Sequence, residues 1–115
     1  MTALAALLIG SSAAASELFA TADGIAFAEG LRPPGTQLLT TNTVTVTVTG
    51  AAGPVTHSWA FVSGNNIFTI SDSTAAAVSW SVLASIIERE AIWRDTVSDG
   101  VSIVTVDVTV SAFLS

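Results

Sequence analysis

Bulky apolar residues alternate with small or polar ones along most of this chain. Val55-Thr56-His57-Ser58-Trp59-Ala60-Phe61-Val62 puts Val55, His57, Trp59 and Phe61 on one side and Thr56, Ser58 and Ala60 on the other, the period-two pattern of a half-buried strand. Trp59 lies mid-strand, and a side chain of that size spans much of the roughly 10 Å between two packed sheets, so the sheets are expected to close over it. Asn42–Thr49 alternates threonine with Val44, Val46 and Val48, and β-branched residues favour strand. Ala75–Val82 aligns Ala76, Val78, Trp80 and Val82, and Ala91–Ser98 aligns Ala91, Trp93, Asp95 and Val97. Val101–Val110 keeps Val104, Val106, Val108 and Val110 in phase but Val101 and Ile103 out of phase, which predicts a bulge near Ile103.

Turn residues separate these runs. Gly24, Gly30, Pro33, Pro34 and Gly35 bracket a short strand at Ile25–Glu29. Gly50–Pro54 reads as a hairpin connection that makes the flanking strands antiparallel neighbours. Ser63–Asn66 and Ser71–Ser73 read as turns on either side of a strand at Ile67–Ile70, and Asp99-Gly100 reads as a tight hairpin. Leu83–Glu90, with helix-like spacing and clustered charge, predicts a crossing loop with one helical turn. The sum is an all-β chain, an antiparallel sandwich of about seven strands over residues 23–115, preceded by an arm or edge strand over residues 1–22. The apolar run Ala3–Ile9 has no positive charge before it, so it reads as an arm rather than a signal peptide. Leu4, Leu7, Leu8 and Ile9 are its candidate partner contacts.

Composition sharpens this reading. Of 115 residues, 50% are hydrophobic and only 10% charged, against about a quarter charged in ordinary soluble domains. Another chain is therefore expected to cover part of the surface, in a homo-oligomer or in repeated copies within an assembly. The net charge of −6, carried with three arginines and no lysine, leaves no cationic surface for phosphate, which argues against nucleic acid and anionic membrane as partners. The chain has no cysteine, and no motif calls for a cofactor.

Candidate chemistry is sparse. His57, Asp95 and Ser58 have triad composition but no nucleophile elbow or oxyanion motif accompanies them, so His57 reads as a satisfied core histidine and no catalytic residue is expected. Asp72, Asp99 and Asp107 lack the spacing of a calcium loop and read as turn and edge residues. Glu88, Arg89 and Glu90 are a solvated run or a contact for a basic patch on a partner. Trp80 and Trp93 read as core residues rather than sugar platforms. The expected core includes Val46, His57, Trp59, Trp80, Trp93, Asp95, Val106 and Val108.

Four segments carry a family resemblance: Gly53-Pro54-Val55-Thr56-His57-Ser58-Trp59, the alternating Ser71–Val82, Ala91-Ile92-Trp93-Arg94-Asp95-Thr96-Val97-Ser98-Asp99, and Asp107-Val108-Thr109-Val110. Together they resemble the small immunoglobulin-like or PKD-like domains encoded among virion genes of tailed bacteriophages, over about residues 40–110. The resemblance implies an immunoglobulin-like β-sandwich in a non-enzymatic virion protein, a capsid decoration or accessory protein that docks on other shell or tail proteins. A tail or tail-tip component, or an adhesion module for host-surface glycan or protein, are the alternatives. Asp95 stands where that family has cysteine, and Trp93 where it has tyrosine or phenylalanine. An inward Asp95 needs donors, for which the indoles of Trp59 or Trp93, nearby hydroxyls, and His57 are the candidates. Trp93, at the tyrosine-corner position, is expected to aim its N–H at backbone.

Overall fold

The structure, a computed structural model, describes residues 17–30, 37–84 and 88–114. The strands are β1 (Phe19–Ala22), β2 (Ala26–Gly30), β3 (Gln37–Thr40), β4 (Val44–Thr49), β5 (Thr56–Gly64), β6 (Thr69–Ile70), β7 (Ala77–Val78), β8 (Trp80–Ala84), β9 (Glu88–Ser98) and β10 (Ile103–Leu114). One layer is a four-stranded sheet in the order β2-β10-β9-β5. The other is made of β1-β4-β7 and β3-β8-β6. These two halves continue one another: Val44 faces Val78 while Thr40 faces Ser81, a register change of one residue. Thr41 spans the change. Its N–H donates to the Trp80 carbonyl at 2.8 Å, and its hydroxyl oxygen accepts the Trp80 N–H at 3.0 Å. A buried threonine thus supplies the bond that the backbone ladder loses at the irregularity.

The alternation seen in the sequence sets the inner faces. Val44 and Val46 of β4, Val78 of β7, and Trp80 and Val82 of β8 point inward from one layer; Trp59 of β5, Ala91, Trp93 and Val97 of β9, and Val108 and Val110 of β10 do so from the other. Trp80 sits between the other two tryptophans, 5.4 Å from Trp59 edge-on and 5.9 Å from Trp93 at a tilt, within the range where such ring pairs attract.

Four expectations are corrected. β4 and β5 are not hairpin neighbours: β4 pairs with β1 and β7, and β5 pairs with β9. The glycine- and alanine-rich connection is long enough to cross the roughly 10 Å between layers, which loop length alone could not reveal. Leu83–Glu90 does cross between layers, but as a shorter connection than expected, since β8 runs to Ala84 and β9 starts at Glu88; residues 85–87, where a helical turn was expected, lie outside the described residues. The pairing is antiparallel except between β2 and β10, which run parallel. There is no bulge at Ile103, which faces solvent in unbroken register opposite Ser98.

The bulge lies instead in β5. Ile92 faces Ser63 and Trp93 faces Phe61, so Val62 is the extra residue. Just beyond it, Gly64 has φ +93°, and a Cβ built there would lie 2.5 Å from the Glu90 carbonyl oxygen and 2.8 Å from Ala91 Cα. Gly64→Ala is therefore expected to cost about 2 kcal/mol through left-handed backbone strain and close contact, read as a lower midpoint in urea with an unchanged slope.

Candidate functional site

His57 and Asp95 meet between β5 and β9. Antiparallel pairing sets Asp95 opposite Trp59 and Val97 opposite His57, with both the carboxyl and the imidazole on the inner face. Asp95 is 0% exposed, and its Oδ2 lies 2.6 Å from His57 Nδ1, the His57 side chain being 10% exposed. The two groups share one hydrogen bond, in which Nδ1 is the donor when Asp95 is the carboxylate. The Ser58 N–H donates to Oδ1 at 3.0 Å. Two oxygens with two donors, one on each, satisfy a buried carboxylate.

This arrangement is unsuited to nucleophilic catalysis. Strand alternation sends the Ser58 side chain outward, away from His57, so the triad residues do not converge. Of the candidate donors for Asp95, His57 takes the role. The Trp59 indole instead donates to the Ala75 carbonyl at 2.9 Å, tying β5 to the loop before β7. The expectation for Trp93 is corrected: its Nε1 is buried with no hydrogen-bond partner among the described residues, as is that of Trp80. The Ser58 backbone amide was not anticipated, since backbone donors leave no mark on residue type.

Three further acidic residues, Asp99, Asp72 and Asp107, are each held by hydrogen-bond donors. Asp99, buried after β9, accepts the Ala52 N–H on Oδ2 at 2.8 Å and those of Val101 and Ser102 on Oδ1 at 2.9 and 2.7 Å. It joins the β9–β10 turn to the β4–β5 connection. These amides, Ala52's first, hold its pKa below the usual 3.8. Because the folded value is depressed, the stabilisation is complete above the unfolded value and is lost as pH falls through the folded one. Amide exchange at Ala52, Val101 and Ser102 is therefore expected to lose protection in acid below about pH 4, ahead of the β9 and β10 centres. Asp99→Ala should show the same loss at neutral pH.

Asp72 accepts from the Thr74 N–H and hydroxyl, which lower its pKa. Asp107 accepts a two-pronged contact from Arg94 at 2.7 and 3.1 Å across the outer face of β9 and β10. Among the described residues no group of three or more His, Asp or Glu could share a metal ion.

The expected core residues fall as follows. Val46, Trp59, Trp80, Trp93, Asp95 and Val108 are buried, while His57 and Val106 are partly so. Of the expected contacts, Leu4, Leu7, Leu8 and Ile9 lie outside the described residues, as does the Glu88 side chain. Arg89 is half-buried, and exposed Glu90 accepts from the Ser111 hydroxyl at 3.4 Å. Sequence reading missed Asn42. Its side chain accepts the Phe27 N–H at 2.7 Å and donates to the Ile25 carbonyl at 3.0 Å, occupying the free edge of β2 as a neighbouring strand would.

The two layers differ in charge. β1, β3, β4, β6, β7 and β8 contain no ionisable residue, whereas β2, β5, β9 and β10 hold Glu29, His57, Glu88, Arg89, Glu90, Arg94, Asp95 and Asp107. The outer surface of the uncharged layer presents Thr45, Thr47, Thr49 and Thr69, together with Leu38 and Leu83, which face each other across β3 and β8 at 65% and 67% exposure.

Two layers of this topology, closed over a tryptophan cluster, define an immunoglobulin-like or PKD-like β-sandwich. The chain is similar in fold to the PKD domain of human KIAA0319, at a TM-score of 0.54 and 16% identity over 94% of this chain and 93% of that one. It also aligns with the M1 domain of titin, at a TM-score of 0.37 and 11% identity over 86% of this chain and 95% of that one. No family model and no curated protein matches the sequence.

Proposed function

We propose that this chain is a non-enzymatic structural module of a tailed-phage particle, a decoration or accessory protein on the capsid that docks by protein–protein contacts. The observation that carries the docking role is the uncharged outer layer. Exposed sheet faces of soluble domains ordinarily carry charge, which discourages association, and this one presents threonine and paired leucine instead. The His57–Asp95 pair supports a non-catalytic reading, because this cluster of catalytic composition is engaged between two strands while Ser58 points away from it. The virion setting is supported by the Gly53–Trp59, Ala91–Asp99 and Asp107–Val110 segments. Leu4, Leu7, Leu8 and Ile9 supply the apolar arm proposed to reach the shell.

Quantitative peptide mass spectrometry of purified particles tests this reading. A copy number equal to that of the major shell protein, or a simple fraction of it, is expected. A handful of copies would move the chain to the tail, and absence from the particle would end the virion reading.

A further inference from the structure

We propose that the uncharged layer is a self-association surface, on which two copies of this chain pack face to face about a two-fold axis. The proposal rests on the reading of the chain as a docking module and names the partner of this face.

Charge distribution points to a second copy. With a net charge of −6, two copies repel wherever their charged surfaces meet. The layer β1-β4-β7 with β3-β8-β6 is the face on which they can meet without opposing strand carboxylates, because the ionisable strand residues belong to the other layer and the exposed carboxylates of Asp23 and Asp72 lie at its rim, bound to the backbone amides of Thr45 and Thr74. Shape points the same way. Leu38 and Leu83, directly opposite one another, form an apolar ridge. Two residues further along each strand, Thr40 and Ser81 line a groove of about 270 Å³ completed by Thr69, Ile70, Ser71 and Ser79. A ridge and a groove side by side on one face are what an isologous contact requires, since the two-fold sets the ridge of each copy against the groove of the other.

The area sets the strength. Four strand positions about 4.8 Å apart and roughly 20 Å long give a face on the order of 400 Å² per copy, about 800 Å² in total and below the size of stable specific interfaces. The dimer is therefore expected to be transient and to form over roughly hundreds of micromolar. Repetition on a particle would reinforce it by proximity.

Sedimentation equilibrium of the full chain tests this. The mass is expected to rise with concentration from the 11.7 kDa of one chain towards twice that value and to stop there. Leu83→Lys and Leu38→Lys put a charge on the ridge and should weaken association by about tenfold or more. Thr105→Lys, exposed on the outer face of the other layer, should leave it unchanged. If a leucine variant does not fold, Thr47→Lys on β4 of the same face serves in its place. The proposal is overturned if the parent stays at one-chain mass up to about 1 mM, if its mass climbs past two chains, if the ridge variants associate like the parent, or if Thr105→Lys weakens association as much as they do. Particle copy number is read separately, so a failure here leaves the virion reading standing.

Discussion

Asp95→Ala is expected to lower the unfolding free energy by about 3–5 kcal/mol, the usual cost of removing one member of a buried charged or hydrogen-bonded pair. The carboxylate accepts from His57 Nδ1 and from the Ser58 N–H. Its removal leaves the imidazole and a backbone amide without an acceptor between the layers, together with a small void. Asp95→Asn, which keeps the shape and one carbonyl acceptor, should cost less than the alanine variant. For a domain whose total stability falls in the ordinary range of about 5–15 kcal/mol, the alanine variant should be partly unfolded at modest temperature. Urea titration followed by tryptophan emission gives the value, and a cost under about 1 kcal/mol would show that the carboxylate is not a structural acceptor.

Trp80→Ala is expected to cost about 3–5 kcal/mol, because the side chain is 0% exposed and its loss opens a cavity between Trp59 and Trp93. Trp80→Phe separates packing from polarity. It retains an aromatic ring and removes an indole N–H that has no partner among the described residues, so its cost should be well below that of alanine. Thermal unfolding of both variants checks this ordering, and equal losses would mean that the indole N–H matters as much as the ring.

The sandwich and its inner faces were legible because alternation is a local signal that tertiary context reinforced. Trp59, Trp80, Val46 and Val108 sit on faces that their neighbours two residues away also choose. The inward direction of Asp95 and His57 followed from the same phase. Less legible were features that depend on which strands meet. The β4–β5 connection looks like a hairpin in sequence, yet it changes layer, and a short glycine-rich linker is compatible with both. Val101 and Ile103 broke phase because one is in a turn and the other faces solvent, whereas the real bulge at Val62 lies in a run whose bulk hides it. Thr41, Asn42 and Asp99 act on backbone amides of distant segments, with partners 39, 15 and 47 positions away, and no local pattern announces such pairings.

The account holds that the chain's only histidine belongs to the core and that function resides on the surface. Carbethoxylation of His57 by diethyl pyrocarbonate, followed in the full chain by imidazole absorbance, tests this most directly, since no second histidine contributes signal. With Nδ1 held against Asp95 and only 10% of the side chain exposed, the folded protein should react well below the free-imidazole rate, which should appear in denaturant. Reaction of the native protein at the free-imidazole rate would show an accessible, unengaged histidine and contradict the paired His57 on which the non-catalytic reading rests.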